Sequence, residues 1–145
     1  MTEKTYRDLI YKGYLKDIKT RQMFSSNEKE RKMIIRYVKR NYLSSLPKNR
    51  NAKILDLGCG MGHYLYALKA LGYKNIIGVD TSSSNVEFCL SQGLNVVKED
   101  ALTYLKDHPE EFEGIIFNDV IEHFDKNEIV DVLFAIKGAL HSRGG

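Results

Sequence analysis

The sequence predicts an α/β protein: a parallel sheet covered by helices on both faces, preceded by a helical N-terminal segment. Three observations carry this. Lys53-Ile-Leu-Asp-Leu-Gly-Cys-Gly-Met-Gly62 joins a short apolar run to a turn with glycines at alternate positions. Beyond it, short apolar runs alternate with stretches of helical periodicity, the pattern of β-α-β units whose crossovers are right-handed. Each run ends on an acid or an amide, at Asp56, Asp80, Asp100 and Asn118, which places all four on the carboxyl edge of one sheet.

The elements follow in order. Thr5 to Lys19 reads as a helix with Tyr6, Leu9, Ile10, Tyr14 and Ile18 near one face, weakened by Gly13. Asn27 and Glu30 suit a capping box for a second helix, along one side of which Met33, Ile34, Tyr37, Val38 and Asn41-Tyr42 recur. Leu46-Pro-Lys-Asn-Arg50 is a loop signal and marks the expected boundary between an N-terminal segment, 1–50, and a sheet domain, 51–145. Ile54, Leu55 and Leu57 form the first strand, buried on both faces, and Leu65, Leu68 and Leu71 the helix after it. Asn75–Val79 reads as the second strand, and Thr81-Ser-Ser-Ser-Asn85 as the cap of a helix carrying Val86, Phe88, Cys89 and Leu90. Leu94–Val97 reads as the third strand and Gly114–Asn118 as the fourth.

The glycine turn is the functional signal. Without a Cβ the backbone turns sharply and lets a ligand approach closely, and the N-terminus of the following helix faces that ligand. A dinucleotide fingerprint counted from Gly58 needs its third glycine at 63, where His63 stands. Asp56 would repel a pyrophosphate, whereas a ligand bearing an ammonium and a sulfonium favours an acid there. The segment Ile54–Gly62 resembles motif I of the class I, Rossmann-like, S-adenosylmethionine-dependent methyltransferases. Further likeness lies in Asp80, in Glu99-Asp100-Ala101, in Asn118-Asp-Val-Ile-Glu-His-Phe124, and in Leu140–Gly145, which is similar to the family's turn before a fifth strand. The resemblance covers roughly Ala52 to Gly145.

That resemblance implies strand order 3-2-1-4, with S-adenosylmethionine as cofactor and S-adenosylhomocysteine as product. It implies a cofactor site made of Asp56, Gly58, Cys59, Gly60, Asp80, Thr81, Asp100, Ala101 and Asn118. Asp80 would accept the ribose hydroxyls, the acid after the third strand the adenine amino group, and the backbone at Ala101 would face the ring. His123, five residues past Asn118, is the candidate base for a hydroxyl acceptor; the other reading is a histidine that packs or caps at the loop. Each acid likewise has a bland reading as a turn or cap residue. Asp119 and Glu122 could orient His123 or bind a metal, although the sequence establishes no metal site.

The fourth strand does not run into the Asn-Pro-Pro-Tyr pattern of many nucleic-acid and protein-glutamine methyltransferases, nor is there a paired-glutamate loop. The expected acceptor is therefore a small molecule, of sugar, lipid or quinol type, and nucleic acid is not expected. The alternative is a non-catalytic cofactor-binding or interaction module of a larger protein.

Composition bounds the rest. The apolar share is 43% and the charged share 28%, near globular averages. No run approaches the ~18 apolar residues of a membrane span. Cys59 and Cys89 lie outside any zinc-like cluster, which fits reduced thiols and a cytoplasmic setting. The net charge of +3 divides unevenly. Residues 1–50 carry fourteen Lys or Arg against five acids, and residues 51–145 eight against fourteen. Such a basic segment is either a solvated helix face or an attractor for an anionic substrate: a sugar nucleotide, a phospholipid head group or RNA. The resembled fold has seven strands and only four are legible here. The sequence thus reads as the cofactor half of a longer protein, inactive alone, with an open sheet edge that invites self-association.

Overall fold

The computed structural model describes residues 28–118 and 124–142. In chain order they form α1 (Glu28–Asn41), β1 (Lys53–Leu57), α2 (His63–Ala70), β2 (Asn75–Asp80), α3 (Ser83–Ser91), β3 (Val96–Lys98), α4 (Ala101–Asp107), β4 (Gly114–Ile116) and α5 (Lys126–Ala139). The four strands make one parallel sheet in the order β3-β2-β1-β4, as expected, with Leu55 opposite Ile77 on one side and Ile115 on the other.

Strand alternation divides the core. Leu55 and Leu57 point to the face covered by α4 and α5, where they meet Val79, Leu105, Phe112 and Val132. Ile54 points to the opposite face and packs with Val38 of α1 and with Ala67 and Leu68 of α2. Cys59, Leu65, Val86, Cys89, Leu94 and Val96 fill the space between α2, α3 and the sheet. Ile54, Leu55 and Leu57 are fully buried, the double burial that their uninterrupted apolar run implies. At about 1.5–3 kcal/mol for each large side chain, this central strand is a principal anchor of the fold.

Two strands are shorter than expected. Leu94 closes the turn that follows α3, its N–H donating to the Cys89 carbonyl at 3.0 Å, and the third strand begins only at Val96. β4 ends at Ile116 because its partner leaves it. Beyond Leu57 the chain bends toward β2, with Gly58 and Cys59 both donating to the Val79 carbonyl, so Phe117 and Asn118 have no ladder to join. Near the expected start of a fifth strand, Leu140 forms an isolated parallel bridge with Phe112.

The inward side of α1 also differs. Ile34, Ile35 and Val38 turn toward α2 and the sheet, which leaves Met33 and Tyr37 outward, at 64% and 47% exposure. Both had been expected on the apolar side; the fit of Val38 against Ile54, Ala67 and Leu68 sets the rotation of the helix instead. The loop at Pro47 is tied down, since Tyr73 donates to the Pro47 carbonyl at 2.7 Å and Arg50 donates to the Tyr73 hydroxyl at 2.7 Å. The expected helix at Thr5–Lys19, the Asn27 cap, residues 119–123 with His123, and the turn at 143–145 lie outside the described residues.

Candidate functional site

The glycine turn hangs from the end of β2. Gly58 and Cys59 donate to the Val79 carbonyl at 2.8 and 3.0 Å, Gly62 donates to the Cys59 carbonyl at 2.9 Å, and Gly60 donates to Asp80 Oδ2 at 2.9 Å. Two of the glycines are needed for different reasons. Gly60 has φ +55° and a Cβ there would meet nothing within 4 Å, so its Cα borders open space. Gly62 has φ +79° and a Cβ would lie 2.6 Å from Leu94 Cδ1, so it permits packing as well as the turn. Gly62 is also the N-cap of α2 and has no side chain to cap it, which leaves the first-turn amides of that helix to other acceptors.

Asp56 ends up buried, 2% exposed, and its Oδ2 has no hydrogen-bond partner among the described residues. Burial, and secondarily the charge of Asp80, push its pKa up to about 7. A sequestered carboxyl with an unused oxygen is suited to a cation or a strong donor, which would stabilise its ionised form.

Asp80 is 7% exposed and has more duties than the sequence suggested. Its Oδ2 accepts from Gly60 N, while Oδ1 accepts from Ser82 N at 2.9 Å and from the buried Asn85 amide at 3.4 Å. A carboxylate has about four lone-pair positions, so capacity remains for a ligand hydroxyl. Thr81 is half-buried in the bend beside it. Ser82 rather than Thr81 caps α3, accepting from Asn85 N.

Asp100 is drawn in by the Glu99 N–H, which donates to the Asp80 carbonyl at 3.2 Å. Its Oδ2 caps α4, accepting from Thr103 N at 3.1 Å and Thr103 Oγ1 at 3.2 Å, and Ala101 opens that helix. Asn118, just past β4, donates to the Tyr64 hydroxyl and so links the fourth strand to the first turn of α2. Asp56, Gly58, Gly60, Asp80 and Thr81 thus converge where β1 and β2 end, Asp100 and Ala101 adjoin them, and Asn118 stands on the β4 side. Cys59 contributes its backbone to the turn, but its side chain packs with Leu65 and Cys89. The neighbouring Cys89 thiol and burial push the Cys59 pKa up, the opposite of an activated nucleophile.

Sequence reasoning missed Tyr64, which carried no motif, placed Asn85 only in a helix cap, and gave His63 no role beyond displacing a glycine. Burial lowers the His63 pKa, opposed by the charge of Glu30. Among the described residues no cluster of three or more His, Cys, Asp or Glu could hold a metal, and no helix is long and apolar enough to cross a membrane.

A family model described as "Methyltransferase domain" matches residues 54–144. A tRNA U34 carboxymethyltransferase from Campylobacter hominis is 28% identical over 114 residues, covering 74% of this chain and 39% of that protein. A mitochondrial ubiquinone biosynthesis O-methyltransferase from Dictyostelium discoideum is 27% identical over 99 residues, covering 57% and 31%. Among solved structures, a SAM dependent methyltransferase from Archaeoglobus fulgidus superposes with a TM-score of 0.67 at 28% identity, covering 77% of this chain and 48% of that one. The chain therefore spans half or less of the length of each of these relatives.

Proposed function

Because residues 54–144 match that family model, the chain belongs to the methyltransferase-domain family, and from this premise we propose that it binds S-adenosylmethionine at the carboxyl edge of its sheet and serves methyl transfer to a small-molecule hydroxyl or amine. The observation that carries the reading is Asp56: a buried carboxyl with an unpartnered oxygen, beside the Asp80 carboxylate and below the open approach at Gly60. It lies on β1, opposite Ile116 of β4, at the point where the strand order switches and open α/β sheets bind ligands.

The residues fit this cofactor. The Asp56 and Asp80 carboxyls suit its ammonium and ribose hydroxyls, the uncapped start of α2 suits its carboxylate, and Gly60 lets the backbone come close. Asp100 and Ala101 stand on the adenine side of the proposed site. When bound, the cofactor supplies a methyl group on a cationic sulfur that departs without needing a proton. The protein's share is alignment and exclusion of water. Asn118 and Tyr64 would border the acceptor, and His123 would take the proton of a hydroxyl acceptor.

For the acceptor, Asn118-Asp-Val-Ile in place of Asn-Pro-Pro-Tyr supports a small acceptor group over a nucleobase amino nitrogen, and the O-methyltransferase of ubiquinone biosynthesis among the relatives agrees with one. Residues 1–50 would form the acceptor side and 51–145 the cofactor side. Buried Cys59 and Cys89, both free thiols, agree with a reducing, cytoplasmic setting. Titration calorimetry with S-adenosylmethionine and S-adenosylhomocysteine tests the core of the reading. Heat with both is expected, and its absence in folded protein overturns it in favour of a non-catalytic module.

A further inference from the structure

The outward arc of α1 carries a pattern that the proposed cofactor site does not use. Lys32, Met33, Arg36, Tyr37, Lys39 and Arg40 are all exposed, and at about 100° per residue they span roughly 160° of the helix. From Arg31 to Arg50 the chain has seven Lys or Arg and no acid. Lys32 pairs with Glu28 at 2.9 Å, but Arg36, Lys39 and Arg40 form no ion pair among the described residues. Two shallow grooves of about 420 Å³ each run along this arc, and Arg36 and Met33 line both.

The face is also connected to the site. The Tyr37 ring meets Tyr42 edge-on at 5.9 Å, Tyr42 meets Tyr64 at 5.7 Å, and the Tyr64 hydroxyl accepts from Asn118. An aromatic path thus leads from the basic arc to the β4 edge of the proposed cofactor site.

We propose that this face docks single-stranded RNA, with phosphates on Arg36, Lys39 and Arg40 and a base against Tyr37, so that the small acceptor group is carried on RNA. Guanidinium forks suit phosphate, and exposed aromatics among cations suit unpaired bases. A lipid surface fits less well: Ile34, Ile35 and Val38 are spent on the core, and a curved arc presents few of its cations to a plane. The missing Asn-Pro-Pro-Tyr pattern argues against methylation of a base amino group, not against a hydroxyl or carboxylate borne by RNA. The docking itself is independent of the methyltransferase reading; only the role of the RNA as carrier rests on it.

The test is fluorescence anisotropy with a labelled twelve-nucleotide single-stranded RNA of mixed sequence, in parallel with vesicles containing phosphatidylserine. Binding at 50 mM salt is expected, weakening by about 18-fold at 200 mM for three phosphate contacts at ~0.7 in slope each. The double variant R36E/R40E should weaken it at least tenfold, and Tyr37→Ala by about fivefold or more. Retained unfolding temperature and retained cofactor heat would show that these surface variants are folded. RNA binding without any cofactor heat would support docking and overturn the methyltransferase reading alone. No binding at 50 mM salt, salt-independent binding, indifference to R36E/R40E, or equal affinity for the vesicles overturns the proposal. So does salt-sensitive self-association in place of RNA binding.

Discussion

Replacing Asp56 by Asn should make the cofactor-free protein more stable at pH 8 while weakening cofactor binding. In the native protein the carboxyl holds its proton up to about 7, against 3.8 ordinarily, because it is buried and close to Asp80. Between those values the native state keeps a proton that the unfolded chain has released. Stability therefore falls as pH rises through the window and levels off above about 7. The raised value corresponds to roughly a thousandfold in proton affinity, or about 4 kcal/mol at ~1.4 per tenfold. The amide of Asn avoids that penalty but buries donors of its own, at a cost of about 1–3 kcal/mol. A net gain of about 1–3 kcal/mol is left at pH 8; it shrinks as pH falls and reverses toward pH 4, where only the cost of the buried amide remains. Urea unfolding of both proteins at pH 5 and pH 8 measures it. An Asp56→Asn protein with the wild-type pH dependence, or one destabilised at pH 8, would refute the reasoning. The same linkage governs the ligand. Cofactor affinity should rise from pH 6 to pH 8, and calorimetry in phosphate and in Tris should show different heats, as a proton leaves Asp56 on binding.

Three further outcomes follow from the geometry, and a fourth, at His123, from the sequence. Gly60→Val should abolish cofactor binding with helix content largely kept, because its side chain enters the open space beside the turn; calorimetry and circular dichroism check this. Asp80→Ala should cost about 2–4 kcal/mol of cofactor affinity and also lower the unfolding temperature, since Gly60, Ser82 and Asn85 lose their acceptor; an unchanged dissociation constant in folded protein removes Asp80 from the site. Gly78→Ala should destabilise by about 1–3 kcal/mol in thermal unfolding, because the new Cβ would lie 2.6 Å from Leu65 Cδ1 and 2.7 Å from Cys59 Sγ. His123→Ala in the full-length enzyme should lower turnover about 100-fold with cofactor affinity nearly unchanged if it is the base, and a loss below about threefold assigns it to packing.

By itself the sequence determined the class of fold and which polar residues end its strands, where the proposed site lies. Doubly buried apolar runs, helical periodicity between them and polar strand ends are local patterns, and right-handed crossovers leave few ways to assemble them. Gly58, Gly60 and Gly62 and the acids at 56, 80 and 100 were legible because turn and cap chemistry is local too. Only the tertiary structure decided what each polar group faces. That Asp56 Oδ2 lacks a partner among the described residues while Asp80 accepts from three groups depends on where β1, β2 and α3 meet: Ser82 and Asn85 are near Asp80 in sequence, but the Gly60 amide reaches it only because the glycine turn folds against the end of β2. The rotation of α1 belongs there as well. Ile34, Met33, Tyr37 and Val38 all satisfy a helical apolar stripe, and the contact of Val38 with Ile54 and Leu68 chose which of them turned inward. Periodicity sets which residues share a face, but only packing volume on the other side sets which face is buried.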